Sequence, residues 1–215
     1  MSDTALLVID VQESFRFYSD ADVPAFVERL QKLVDGAKAQ GIPVVQIFHV
    51  SDSGPFSIGS GLVRTFSQVS IAPDAVFHKR KHSALIGSGL DVWLVQNGIR
   101  RIIVSGIKTE QCCETTTRHA SDMGYAVDFV SEATLTFAMK DARGRSWSAD
   151  EIKAWLHHRF RDHRHATNRT PNTWASPRPS SIHKNVILRS ASPPEFVLRD
   201  NAHPSSQKVS VWSAT

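Results

Sequence analysis

The stretch that most limits what this chain can become is Ile102-Ile103-Val104-Ser105-Gly106-Ile107-Lys108-Thr109-Glu110-Gln111-Cys112-Cys113. Ile and Val suit a pleated surface covered on both faces, so an apolar run closed by Ser-Gly predicts a buried strand. Thr109 is placed to cap a following helix, with Glu110 in its first turn, where the dipole favours negative charge. Cys113, Thr116, Thr117, Ala120 and Met123 share one helical face, and Gly124 ends the pattern. Cys112 then lies in the first turn, where backbone N–H groups and the positive dipole end favour a thiolate over a thiol. A strand-loop-helix unit puts a nucleophile at such a place.

A nucleophilic Cys needs partners. Ala5-Leu6-Leu7-Val8-Ile9-Asp10 predicts a buried strand that ends in a carboxylate. The carboxyl ends of strands in an open parallel sheet line one crevice, which would bring Asp10 and Cys112 to the same edge. The basic run His78-Lys79-Arg80-Lys81-His82 follows the strand-like Ala75-Val76-Phe77. Acid, thiol and cation form a hydrolytic set. Each has a plainer reading alone: Asp10 as a cap, the basic run as a solvated face, a buried Cys as a small apolar group.

At these residues the chain resembles the isochorismatase-like cysteine hydrolases, which include nicotinamidases and N-carbamoylsarcosine amidohydrolase. The matching pieces are Leu7-Val8-Ile9-Asp10-Val11-Gln12-Glu13-Ser14-Phe15, Lys79 to Ala84, Gly106 to Cys113, and Gly124-Tyr125-Ala126-Val127 leading to Glu132-Ala133. They come in the family's order across roughly residues 4 to 140. The resemblance implies a catalytic triad of Asp10, Lys79 and Cys112. It also implies a cis peptide at Ile107–Lys108 and an oxyanion hole from the N–H groups of Lys108 and Cys112. Lys79 is chosen over Lys81 on the family's spacing to Ser83-Ala84, and Cys113 takes the family's inert apolar position.

Elsewhere, Val11 to Phe15 stands where a dinucleotide-binding fold needs a glycine-rich turn, which argues against a nicotinamide or flavin cofactor. Phe15, Phe17 and Tyr18 read either as core or as a pocket wall. Pro24 opens a helix whose Phe26, Leu30, Leu33, Val34 and Ala37 face the core, stopping near Gly41. Ile42 to Val50 is the second strand, with His49 near its functional end. Metal-dependent nicotinamidases carry an Asp-x-His pair hereabouts, whereas Ile47 occupies the Asp position here. Zinc needs about three protein ligands, so no metal and no cofactor are expected. Phe15 and His49 stand as candidate substrate-binding residues.

Ser51 to Phe66 reads as a loop over the crevice, Leu85 to Gln96 as a helix stopped by Asn97-Gly98, and Ala126 to Val130 as a further strand. Alternating strands and helices predict an α/β fold, a three-layer α/β/α arrangement around a parallel, Rossmann-like sheet of about five to six strands.

The formal net charge of the 215 residues is +4, yet residues 157–215 hold nine Lys or Arg against three Asp or Glu. Residues 1–156 are therefore slightly acidic, and they form the expected hydrolase domain. The region 157–215 also holds six of the ten histidines and six of the ten prolines, so it is read as an atypical basic tail. Three readings compete for it: a disordered tail, a tail binding an acidic partner, and an out-of-frame translation, which is preferred. A family member would continue here with a helix and a last strand. Asp150 to Leu156 begins such a helix, and the shift at His157 is expected to cut it off.

No apolar run is long enough to span a membrane and no signal region opens the chain. The two cysteines are adjacent and unsuited to a structural disulfide, so a reducing cytoplasm is expected. The Cys favours C–N bond hydrolysis of a small non-peptide amide or carbamoyl substrate through a thioester. The alternatives are the family's vinyl ether hydrolysis, which proceeds without that Cys, and a non-catalytic scaffold. The partner is a small molecule, with neither nucleic acid nor membrane, and the resemblance implies a homodimer or homotetramer.

Overall fold

The computed structural model describes residues 2–18, 23–167, 186–189 and 211–214. Its elements in chain order are β1 (Thr4–Ile9), α1 (Val23–Ala39), β2 (Val44–His49), β3 (Ala75–Lys79), α2 (Leu90–Gln96), β4 (Arg101–Ile107) and a π-helical turn (Thr109–Cys113). There follow α3 (Glu114–Asp122), β5 (Ala126–Leu135), the two-residue strands β6 (Met139–Lys140) and β7 (Ser146–Trp147), α4 (Ala149–Thr167), β8 (Val186–Arg189) and β9 (Val211–Ala214).

The central sheet runs β3-β2-β1-β4-β5, all parallel, as the alternating pattern predicts. Beyond β5, β8 joins in parallel and β9 pairs with β8 antiparallel. Consecutive β1 side chains point to opposite faces. Ala5, Leu7 and Ile9 pack with Leu90, Leu94, Ala120 and Leu156 from the α2, α3 and α4 side. Leu6 and Val8 pack with Phe26, Leu30, Leu33 and Val34 of α1. Two cores, one on each face, make the three-layer α/β/α architecture.

Four local expectations are corrected. Residues 85–89 are not helical, because Gly87 and Gly89 take φ of 66° and 84° and a helix begins only at Leu90. Thr109 does not cap: its hydroxyl donates to Thr134 Oγ1 at 2.9 Å, and the turn it opens is π-helical. Strand β5 runs past Ser131 to Leu135, across a register shift opposite Val104 and Gly106. Helix α4 crosses position 157 without a break, since no Gly or Pro interrupts 149–167. Of the tail, Val186–Arg189 forms β8, while residues 168–185, 190–210 and 215 lie outside those described. No helix among the described residues is long and apolar enough to cross a membrane.

Strands β1 and β4 pair Ile9 with Gly106 in register. Gly106 has φ of 124°, and a Cβ there would sit 1.9 Å from the Ile9 carbonyl oxygen. That obstacle is backbone, so it cannot rotate away. Gly106→Ala should therefore cost at least about 1–3 kcal/mol, the range for overpacking. A urea midpoint equal to wild type would show that the two strands can separate without penalty.

Candidate active site

Every candidate side chain projects from the carboxyl edge of the sheet. Asp10 follows β1 with φ of 55°, a left-handed conformation that costs a non-Gly residue about 1–2 kcal/mol. The turn is held by the Asp10 N–H on the Ile47 carbonyl at 2.8 Å and the Gln12 N–H on the Asp10 carbonyl at 2.9 Å. Lys79 is the last residue of β3, and although it is a lysine it is only 1% exposed. Lys81, the other lysine of the basic run, is exposed. Cys112, in the π-helical turn, is 6% exposed, and Cys113 behind it is fully buried.

The three residues meet at the Lys79 ammonium. Its Nζ lies 2.7 Å from Asp10 Oδ2 and 3.2 Å from Cys112 Sγ. It also lies 3.2 Å from the Lys81 carbonyl oxygen and 3.3 Å from His49 Nδ1. The pairing with Asp10 is one of charges at close range rather than of an aligned hydrogen bond, and Asp10 Oδ1 accepts no hydrogen bond. That oxygen is therefore open to a proton from a neighbour.

Electrostatics set the resting protonation. Burial raises the Asp10 carboxyl above the usual range, and the Lys79 charge offsets this only in part. Burial pulls Lys79 down, but Asp10 and then Cys112 outweigh it, so it stays a cation. Burial, followed by the Asp10 charge, pushes the Cys112 thiol up to about 12, against the opposing pull of Lys79. The expectation of a thiolate at the helix start is thus corrected: desolvation wins, and Cys112 rests as a thiol. Alkylation of Cys112 by iodoacetamide should be slow at pH 7 and accelerate steadily to about pH 11. Complete modification within minutes at neutral pH would contradict a buried, protonated thiol.

Burial, with the Lys79 and His82 charges, holds His49 down at about 4, so its neutral ring offers Nδ1 as an acceptor to Lys79. Gln12 grips the same residue from both sides, accepting from the His49 N–H at 2.8 Å and donating to its carbonyl at 3.1 Å. Phe15 is buried, with Phe56 edge-on at 5.0 Å and Phe137 stacked at 6.0 Å. Phe56 in turn meets the His49 ring edge-on at 5.7 Å. Phe15 and His49 thus belong to one aromatic wall that ends at Lys79. Phe17, by contrast, is 67% exposed and takes no part in it.

The Ile107–Lys108 peptide is cis. Just after it, the N–H groups of Gln111 and Cys113 both bond to the Lys108 carbonyl at 3.2 Å. Lys108 therefore sits at the mouth of the turn that carries Cys112. Sequence reasoning overlooked His82, whose Nδ1 is 3.8 Å from Cys112 Sγ, and the packing of Tyr18 and Phe137 around Lys108. The crowding of His, Lys and Arg at 78–82 was the only visible signal for His82, and nothing in the pattern flagged the second contact. Among the described residues, no group of three or more His, Cys, Asp or Glu is arranged to hold a metal.

The isochorismatase domain model matches residues 4–155. YrdC of Bacillus subtilis, an isochorismatase-family protein, is 28% identical over 166 residues, covering 73% of this chain and 88% of its own length. Nicotinamidase 3 of Arabidopsis thaliana is 28% identical over 149 residues, 62% of this chain and 73% of its own. An isochorismatase-family structure from Chromobacterium violaceum superposes with a TM-score of 0.68 at 29% identity, covering 74% of this chain and 86% of that one. The family match takes in β1, β3, β4 and the Cys112 turn, the elements that carry the cluster, and so this chain belongs to the isochorismatase family and is a hydrolase of that family.

Proposed function

We propose that this hydrolase cleaves a C–N bond in a small non-peptide amide or carbamoyl compound through a thioester on Cys112. One observation carries the reading: a single buried ammonium, Lys79, touches both a carboxylate with an open oxygen and a thiol. The nicotinamidase name among the relatives supports an amide substrate for this chain.

Because the thiol rests protonated, attack must be coupled to proton transfer. Asp10, its basicity raised by burial, takes the Cys112 proton as Sγ bonds to the carbonyl carbon. Negative charge passes to the carbonyl oxygen, where the N–H groups of Lys108 and Cys112 are the proposed donors. Asp10 then gives the proton to the leaving nitrogen as the C–N bond breaks, leaving a thioester and an amine. Water adds to the thioester with Asp10 accepting its proton, and the Cys112–carbon bond breaks as Asp10 returns that proton to Sγ, giving the acid and restoring both thiol and carboxylate. Lys79 stays charged throughout, holding the carboxylate in place.

The test is ammonia release from a panel of small amides and carbamoyl compounds, with and without EDTA. Release undiminished by EDTA is expected. Loss on chelation, with activity restored by added metal, would overturn the metal-free reading.

A further inference from the structure

Lys108 is the lysine of this site that pairs with no carboxylate among the described residues. The other, Lys79, is neutralised by Asp10 at 2.7 Å. Lys108 is half-buried, and no carboxylate among the described residues lies within ion-pair distance of its Nζ. The acids nearest in sequence are engaged elsewhere. Glu110 accepts from the Thr136 hydroxyl, and Glu114 pairs with Arg118 at 2.8 Å. What holds the Lys108 ammonium is instead aromatic: it lies 4.8 Å from the centre of the Tyr18 ring and 5.7 Å from that of Phe137.

Aromatic faces position an ammonium without cancelling its charge. They also belong to the wall already described. Phe137 stacks on Phe15, Phe15 meets Phe56, and Phe56 meets His49 beside Lys79. The wall thus starts at the catalytic cluster and ends at Lys108, which the chain returns to Cys112 within four residues. A molecule lying along it would have its reacting carbon at one end and a full positive charge at the other. From this we propose that Lys108 is a specificity-determining residue that binds a carboxylate on the substrate, so that the substrate class is small amides or carbamoyl compounds bearing a carboxylate. The inference rests on the thioester reading for which bond is cut, but the carboxylate site stands or falls by itself.

Binding tests it without turnover. The Cys112→Ala protein would be titrated calorimetrically with N-acetylglycine and N-carbamoylglycine, and with their neutral counterparts N-methylacetamide and methylurea. The carboxylates should bind at least about tenfold tighter than the neutral compounds. Adding Lys108→Met should abolish that preference, whereas Lys108→Arg should retain it, because a guanidinium also pairs with carboxylates. Equal binding of charged and neutral probes, a preference that survives Lys108→Met, or no carboxylate binding at all would overturn the proposal. Lys108-dependent carboxylate binding in a protein whose wild type hydrolyses no amide would leave the carboxylate site standing and remove the thioester reading.

Discussion

Cys112→Ala is expected to lower kcat/KM for any amide the wild type hydrolyses by about 10⁴-fold or more, the scale seen when a covalent nucleophile is removed. The chemistry loses its bond-forming atom, so no rearrangement of Asp10 or Lys79 replaces it. The fold should hardly notice. Lys79 keeps Asp10, His49 and the Lys81 carbonyl as neighbours, and the deleted sulfur is the smallest part of that cluster. Cys113→Ala is the control. Cys113 is fully buried on the side of the sheet that packs with Ala120 and Leu156, so its loss should reduce stability modestly and leave the rate within about tenfold. Turnover by Cys112→Ala at a tenth of the wild-type rate would remove the covalent mechanism altogether.

Lys79→Met should produce the largest loss of stability, about 3–5 kcal/mol, the range for stripping one partner from a buried ion pair. Methionine roughly preserves the buried stem, so the missing charge dominates the effect. Asp10 would then be a fully buried carboxylate with no cation beside it. The pH dependence follows from its direction of shift. Burial already holds Asp10 above its ordinary value, and without Lys79 the rise is greater. A carboxyl raised on folding favours the folded state while protonated, and that contribution is lost as pH rises through the folded-state value. The deficit of Lys79→Met should therefore be greatest at pH 8 and shrink on acidification toward pH 5. Asp10→Asn in the same chain should recover much of it by removing the stranded charge. Urea midpoints at both pH values measure this, and a deficit independent of pH with no recovery in the double variant would mean that the ion pair is not its source.

Much of the architecture was readable because its causes are local. The α1 face of Phe26, Leu30, Leu33, Val34 and Ala37 needs only a 3.6-residue period, and all five residues are buried. The strands announce themselves as short β-branched runs. Asp10 and Cys112 could be set on one edge because parallel strands end together, whereas Lys79 was picked out of its basic run only by the spacing that the family resemblance implies. What escaped the sequence depends on neighbours remote in the chain. Thr109 has the composition of a cap, yet its hydroxyl finds Thr134 across the sheet. Cys112 has the position of a thiolate, yet burial beside Asp10 outweighs the helix start. The contact of Lys108 with Tyr18 and Phe137 joins three segments that no periodicity connects. Position 157 shows the opposite error: a change in composition suggested a break where the backbone continues as a helix.

The protonated state of Cys112 also bears on how long such a protein survives in air. Peroxides attack thiolates, and the first product, a sulfenic acid, leads on to irreversible acids. Burial beside Asp10 pushes the thiol well above its ordinary value, so at pH 7 it is held in the protonated form. Cys113, directly behind it, is buried and raised still further. The proposed nucleophile is thus kept in its oxidation-resistant form until a bound substrate gives the displaced charge somewhere to go, so that under this mechanism reactivity and vulnerability arrive together and only briefly.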